Sequence, residues 1–341
     1  MLRAIDLFCG AGGLSQGLKD AGFEVVFAVD NNVVAIETYK MNHATPLAVA
    51  DDIKNIDPNI VMQQLGLKAG ELDLLAGCPP CQGFSKLRTR NKHISAEDVR
   101  NDLIFEYLRF VETFQPRALM LENVPYLIKD SRMGTFLSAV SALGYSINEK
   151  SASVEDASDY GVPQRRKRMI FVASRLGSIT SPPKVMKKVT VREAIGNLPE
   201  PGKSGDEIHD LPVIRSPRVT EVIAAIPKDG GGRLDLPDHL QLPCHKKCPK
   251  GFLDVYGRMW WDKVSPTITG GCHNPSKGRF LHPEQNRAIT LREAAALQTF
   301  PPDYKFSLRK GKDSLALMIG NALPPKFIQA HAHAIREHLG A

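Results

Sequence analysis

The sequence predicts an α/β protein: an open, mostly parallel sheet with helices on both faces, joined to a smaller, irregular domain. Three observations lead there. Short apolar runs alternate with helical stretches through residues 1–175. The first run, Ile5-Asp6-Leu7-Phe8, feeds directly into a glycine-rich turn, Cys9-Gly10-Ala11-Gly12-Gly13, and then a helix. Between residues 176 and 283 the alternation stops, and Pro, Gly, Lys and His become more frequent. Residues 1–175 and 284–341 therefore read as one discontinuous domain, with 176–283 inserted as the other.

A strand, a glycine turn and a helix open many nucleotide-binding domains, because glycine lets the backbone approach a ligand and the helix offers free N–H groups. The spacing here is G-x-G-G, not the G-x-G-x-x-G of a pyrophosphate cradle. The helix from about Leu14 to Asp20 stops at Gly22. A second strand, Glu24 to Val29, ends on Asp30, an acid about 20 residues past the glycines, which suits a ribose diol. A helix over 33–41 follows, then the short strand Leu47 to Ala50, ending on Asp51-Asp52-Ile53, where an acid can meet an adenine amine. A helix near 59–65 leads to the apolar run Leu72-Asp73-Leu74-Leu75-Ala76.

That run reads as a buried parallel strand. It meets Gly77-Cys78-Pro79-Pro80-Cys81-Gln82-Gly83-Phe84-Ser85, and two prolines cannot continue a strand or enter a helix interior. A thiol is thereby expected at the carboxyl end of a strand, where open α/β sheets bind ligands. The polar, basic stretch Lys86 to His93 reads as a loop suited to a polyanion. Leu103, Ile104, Tyr107, Leu108, Val111 and Phe114 form the apolar face of a helix. The strand Ala118 to Leu121 ends on Glu122-Asn123-Val124; an acid directly after four apolar residues is either a partnered or a catalytic one. A helix over 133–143 and a strand from Tyr145 to Val154 follow. Gln164, Arg166 and Arg168 alternate onto one face ahead of the strand Met169 to Ala173, as a cationic face for an anion or a carbonyl oxygen. Thr190-x-x-Glu193 and Thr290-x-x-Glu293 read as capping boxes, and a last helix runs to about Leu339.

Composition narrows the class. The 341 residues are 43% hydrophobic, with a net charge of +7, so a polyanionic partner is favoured and a sizeable core is available. No apolar run approaches the roughly 20 residues of a membrane span. The N-terminus lacks the apolar core of a signal peptide, and six cysteines over this length suggest a reducing, cytoplasmic setting. No membrane partner is expected.

In this order, the segments resemble the C5-cytosine DNA methyltransferase family of the bacterial modification type. Phe8-Cys9-Gly10-Ala11-Gly12-Gly13 is similar to its cofactor motif, and Pro80-Cys81-Gln82 to its nucleophile motif. Glu122-Asn123-Val124 is similar to its acidic motif, and Gln164-x-Arg166-x-Arg168 to its basic one. Arg292-Glu293-Ala294-Ala295-x-Leu297-Gln298-x-Phe300-Pro301 and Gly320-Asn321 are similar to its two C-terminal motifs. Nearly the whole chain is covered except the variable segment.

The resemblance implies an S-adenosyl-L-methionine-dependent, Rossmann-like methyltransferase acting as a monomer on duplex DNA. It implies Cys81 as the nucleophile at cytosine C6, Glu122 at N3 and the exocyclic amine, and Arg166 and Arg168 at the ring O2 and the nucleophile. The cofactor would lie against Phe8, Gly10, Gly12, Gly13, Asp30, Asn31, Asp52, Ile53, Pro80 and Asn321. Asn31 departs from the large apolar residue common after the ribose acid, and the Asp-Ile step favours Asp52 over Asp51 for the adenine. The target base must leave the stack to be reached. Gln82, Ser85, Arg88, Arg90 and Gln164 would meet DNA, and the variable segment would recognise the target through Arg215, Arg218, Arg233 and Arg258. A cognate restriction endonuclease is implied as a functional partner. Cys244, Cys248 and Cys272 lack a second pair at standard zinc spacing, so no metal is expected.

Three rivals stand beside this reading. One branch of the family acts on tRNA. An exocyclic amino-methylase needs an aromatic residue after Pro-Pro, whereas Lys184 follows Ser181-Pro182-Pro183. A non-catalytic DNA-binding homologue would have no need of Cys81, Glu122 and Arg166 together.

Overall fold

The structure is a computed structural model that describes residues 1–80, 103–247 and 251–341. The chain forms two compact units. The first comprises Met1–Tyr160, Lys167–Lys184 and Leu323–Ala341; the second comprises Gly161–Arg166 and Val185–Ala322.

The first unit is built on β1 (Leu2–Leu7), α1 (Gly13–Asp20), β2 (Phe23–Asp30), α2 (Val33–Asn42), β3 (Leu47–Ala50), α3 (Pro58–Gln64) and β4 (Leu74–Gly77). It continues with α4 (Leu103–Phe114), β5 (Ala118–Asn123), α5 (Ser131–Ala142), β6 (Ala152–Asp156) and β7 (Lys167–Ser174). The sheet order is β3-β2-β1-β4-β5-β7-β6. Strands β1 to β5 pair in parallel, while β7 is antiparallel to both β5 and β6. β4 and β5 are buried along their whole length, as parallel strands covered on both faces must be.

The order reverses between β1 and β4, so the connections leaving these neighbours diverge and open a crevice at their carboxyl ends. The glycine turn leaves β1 there, and Cys78-Pro79-Pro80 leaves β4. The Cys78 N–H donates to the Leu7 carbonyl at 3.1 Å and ties the two exits together.

The core beneath this edge is aromatic. Tyr107, Phe110, Phe114, Phe136 and Phe171 are all fully buried, with Phe136 edge-on to Phe171 at 5.4 Å between centroids. Each such ring contributes about 2–3 kcal/mol through burial. The Tyr107 hydroxyl donates to the Leu75 carbonyl at 2.9 Å, so its polar tip is satisfied inside the core. The last helix, Pro325–His338, returns to this unit and packs on α1.

Two local expectations change. The strand expected from Tyr145 to Val154 begins only at Ala152. Asn148 interrupts it: its side chain accepts the Lys150 N–H at 2.8 Å and its carbonyl the Ser151 N–H at 3.0 Å, which closes a turn. The boundary expected at 283/284 also differs from the observed division, since residues 284–322 belong to the second unit. There the helix Leu291–Leu297 packs on the helix Val191–Ile195, and Arg292 pairs with Asp206.

The second unit has short helices, including Pro217–Ala225 and Gly311–Asn321, and a small core of Val222, Ile223, Ile226, Leu236, Leu240, Tyr256 and Leu281. Both capping boxes are formed. Its irregular backbone is satisfied by buried arginines. Arg258 is fully buried and donates to the carbonyls of Ile223, Ile226, His282 and Gln285 and to Asn286 Oδ1.

Candidate active site

The glycine turn is shaped by left-handed residues. Phe8, Gly10 and Gly12 have φ of 64°, 52° and 93°. Among the described residues, nothing lies within 4 Å of where a Cβ on Gly10 would stand, so that side of the turn has room for a ligand. Gly12 is the N-cap of α1 and has no side chain to cap with. Asp6 supplies the cap from β1: its carboxylate accepts the Ser15 hydroxyl at 2.6 Å and the Ser15 backbone N–H. Ser15 also bonds to the Tyr39 hydroxyl, and Tyr39 to Thr45. Burial pushes the Asp6 carboxyl up to about 7.

Asp30 closes the turn from β2. Its Oδ2 accepts the Gly10 N–H at 2.9 Å and its Oδ1 the Asn32 N–H at 2.8 Å. Burial raises its pKa. The Asp51 N–H donates to the Asp30 carbonyl, which brings the acids of β2 and β3 to one sheet edge. Asp51 Oδ1 accepts from Asp52 N–H and Asn55 Nδ2, whereas Asp52 is exposed and accepts only the Lys54 N–H among the bonds seen. Asn31 is exposed, Pro80 half-buried and Ile53 buried. Free N–H groups at a helix N-terminus, an open Gly10 and two strand-end acids fit a nucleoside carrying an amino acid, as S-adenosyl-L-methionine does.

The second cluster stands at the ends of β4 and β5. Glu122 is 2% exposed. Arg168 Nε lies 2.9 Å from its Oε1, and Cys78 Sγ donates to its Oε2 at 2.8 Å. Asn123 Nδ2 donates to the Pro79 carbonyl at 2.8 Å and holds the chain on its way to Cys81. Cys81, Gln82, Ser85, Arg88 and Arg90 lie outside the described residues, as does Cys248.

The Gln164, Arg166, Arg168 alternation is divided between the two units. Only Arg168 is part of β7. Gln164 is fully buried in the second unit, donating to Gln298 Oε1 at 2.7 Å and accepting the Ile268 N–H at 2.8 Å. This corrects its expected place at the DNA: its amide crosslinks backbone segments. Arg166 is 2% exposed, and its Nη1 donates to the carbonyls of Ile268 and Gly320, both at 3.1 Å. A Cβ on Gly320 would come within 2.2 Å of the Thr269 carbonyl carbon, so this close approach needs glycine. Asn321 is exposed at the end of its helix.

The four arginines of the variable segment expected at DNA also separate. Arg258 cannot read bases, because its guanidinium is buried on five acceptors. Arg233 is 3% exposed and holds the carbonyls of Gly251 and Phe252. Arg215 donates to the His273 carbonyl at 2.8 Å. Arg218 is exposed, with Glu221 and the His239 carbonyl as partners. Burial pushes the Cys272 thiol up to about 12. Among the described residues, no three His, Cys, Asp or Glu side chains are grouped to hold a metal. The Cys244 side chain is not among those described.

Sequence reasoning missed Cys78, Asp6 and Gln298. Cys78 was legible only as the first thiol of a Cys-x-x-Cys pair. Asp6 was legible as an acid in an apolar strand, which needs a partner.

A sheet of this order with an antiparallel seventh strand, a glycine turn after β1 and an acid ending β2 defines an S-adenosyl-L-methionine-dependent methyltransferase. The model of the C-5 cytosine-specific DNA methylase family matches residues 2–337, and the chain belongs to that family. The enzyme is thus a DNA (cytosine-5-)-methyltransferase with S-adenosyl-L-methionine as methyl donor. The type II methylase M.HgiDII of Herpetosiphon aurantiacus is 34% identical, with 98% of this chain and 95% of the relative covered. The type II methyltransferase M1.HphI of Haemophilus parahaemolyticus is 33% identical over 98% of this chain and 86% of its own. A crystal structure described as a DNA modification methyltransferase encoded within an E. coli prophage superposes with a TM-score of 0.76 at 25% identity, both chains being covered in full. The S. pombe Dnmt2 methyltransferase shares the fold, with a TM-score of 0.63 at 18% identity over 100% of this chain and 99% of its own. No helix among the described residues is long and apolar enough to cross a membrane.

Proposed function

We propose that the enzyme modifies one cytosine of a specific duplex DNA sequence through a covalent bond from Cys81 to C6. C5 of cytosine is a poor nucleophile. Addition of the Cys81 thiolate at C6 breaks the ring conjugation and leaves an enamine that reacts at C5. Free cysteine has a pKa of about 8.5, so the site must favour the thiolate or remove its proton during attack. Glu122 passes a proton to N3 as negative charge develops on the ring, and its carboxylate then accepts from the exocyclic amine. Arg168 stays paired with that carboxylate. Bound S-adenosyl-L-methionine supplies an electrophilic methyl on a sulfonium. Loss of the C5 proton and elimination of Cys81 restore the aromatic ring.

The observation that carries this reading is the buried Glu122 carboxyl, paired with Arg168 at the sheet edge where Pro79-Pro80 leads into Cys81. A group buried at a sheet edge cannot reach a base stacked inside a duplex, so in this reading the base is flipped out. The type II relatives support a role in restriction–modification beside a cognate endonuclease. Residues 176–283 choose the sequence, and the sheet unit performs the chemistry. Exchanging 176–283 for the segment of a relative with another specificity should transfer the methylated site, read by bisulfite sequencing of plasmid DNA.

The decisive experiment uses a duplex carrying 5-fluorocytosine at the target. Fluorine cannot leave as a cation, so elimination stalls and the enzyme is trapped. Mass spectrometry should place the adduct on Cys81 with the methyl already transferred, and Cys81→Ser should abolish trapping while still binding DNA. An adduct that survives Cys81→Ser, or trapping by RNA alone, overturns the assignment.

A further inference from the structure

Cys78 stands three residues before Cys81, and its thiol meets Glu122 across a separation of 44 residues. The contact follows from the backbone. Gly77 of β4 pairs in parallel register with Leu121 of β5, so the next residues, Cys78 and Glu122, come side by side. The Cys78 N–H is fixed on the Leu7 carbonyl, and the following Pro79 carbonyl on Asn123. The two Glu122 oxygens then face different groups: the Arg168 guanidinium forms an ion pair, its Nε 2.9 Å from Oε1, and the Cys78 thiol donates to Oε2 at 2.8 Å. A thiol is a weak donor toward neutral groups. Toward a buried carboxylate its bond is charge-assisted and counts for more.

We propose that Cys78 is a positioning residue for methyl transfer: its thiol orients Glu122 and stabilises the carboxylate left when the proton passes to cytosine N3. No bond to sulfur forms or breaks. One proton moves from the Glu122 carboxyl to N3, and the Cys78 S–H remains a donor throughout. Without it the carboxyl holds its proton more tightly and is a weaker acid toward the ring. The inference rests on the reading of Glu122 as the group that engages the cytosine.

The test compares wild type, Cys78→Ala, Cys78→Ser and Glu122→Gln in the full chain. The Glu122 carboxyl is followed by NMR in protein carrying 13C-carboxyl glutamate, its signal assigned as the one missing from Glu122→Gln. In Cys78→Ala the titration midpoint should rise by about one pH unit. Single-turnover methyl transfer to duplex DNA should slow by about tenfold. Cys78→Ser, which keeps a donor, should lie between Cys78→Ala and wild type in both measurements. A Cys78→Ala midpoint equal to wild type, with Glu122→Gln inactive, overturns the role of Cys78 and leaves that of Glu122 standing. Methyl transfer by Glu122→Gln at the wild-type rate overturns the reading of Glu122, and the proposal with it.

Discussion

Asp30 Oδ2 accepts the Gly10 N–H at 2.9 Å, so the acid that ends β2 holds the glycine turn that follows β1. The same carboxylate has lone pairs left for a ribose diol. Asp30→Ala should therefore weaken S-adenosyl-L-methionine binding by tenfold or more, through the turn and the ribose together. Calorimetry measures the affinity, and circular dichroism should show the fold intact. An unchanged affinity removes Asp30 from the site.

Asp6 makes stability depend on pH. An unfolded aspartate titrates near 3.8, whereas burial places Asp6 at about 7 in the fold. Between those values the native state holds the extra proton, so stability falls as pH rises from about 4 to 7 and is flat above. Asp6→Asn keeps an acceptor for Ser15 and has no charge to bury. Relative to wild type it should gain ~1–4 kcal/mol between pH 5 and 8. Urea unfolding at several pH values would show the gain, and parallel pH profiles for the two proteins would contradict it.

Arg168 supplies the cation beside the buried Glu122 carboxylate. Arg168→Ala leaves that carboxyl without its countercharge, so Glu122 releases its proton less readily. Single-turnover methyl transfer should drop by about 100-fold. Affinity for a specific duplex should change by only a few-fold, as a gel-shift titration would show. A loss confined to DNA affinity would instead make Arg168 a phosphate contact.

Arg258 organises the second unit. Arg258→Ala leaves four backbone carbonyls without their buried donor and opens a void. The expected loss is about 3 kcal/mol or more. Limited proteolysis should then cut within residues 217–286 at a temperature the wild type resists. A variant that folds normally but methylates altered sites would restore Arg258 to base recognition.

The legible part of this protein was local. The glycine turn, the alternating strands and helices and both capping boxes are written in residues within a few positions of one another, and each was visible without tertiary context. The candidate site was partly legible for the same reason: Glu122 follows four apolar residues, and Asp30 ends β2. The side-chain alternation at Gln164, Arg166 and Arg168 did not become one shared face in the fold. Alternation fixes which residues share a face only within one strand, and β7 begins at Lys167. The arginines of the variable segment misled for a related reason, since charge alone does not tell a guanidinium facing phosphate from one satisfying buried carbonyls.

By itself the sequence determined the sheet's elements, the exit of the chain at Pro79-Pro80 and the presence of a thiol, an acid and glycines suited to methyl transfer. Those depend on periodicity, on proline's missing N–H and on glycine's freedom at positive φ, all properties of neighbouring residues. Tertiary structure alone decided that β7 runs antiparallel and that residues 284–322 belong to the second unit. It decided that Arg258 and Gln164 are internal crosslinks, and that Cys78 faces Glu122. Each of these is a contact between residues tens of positions apart, fixed by strand register and by the need to satisfy buried polar groups.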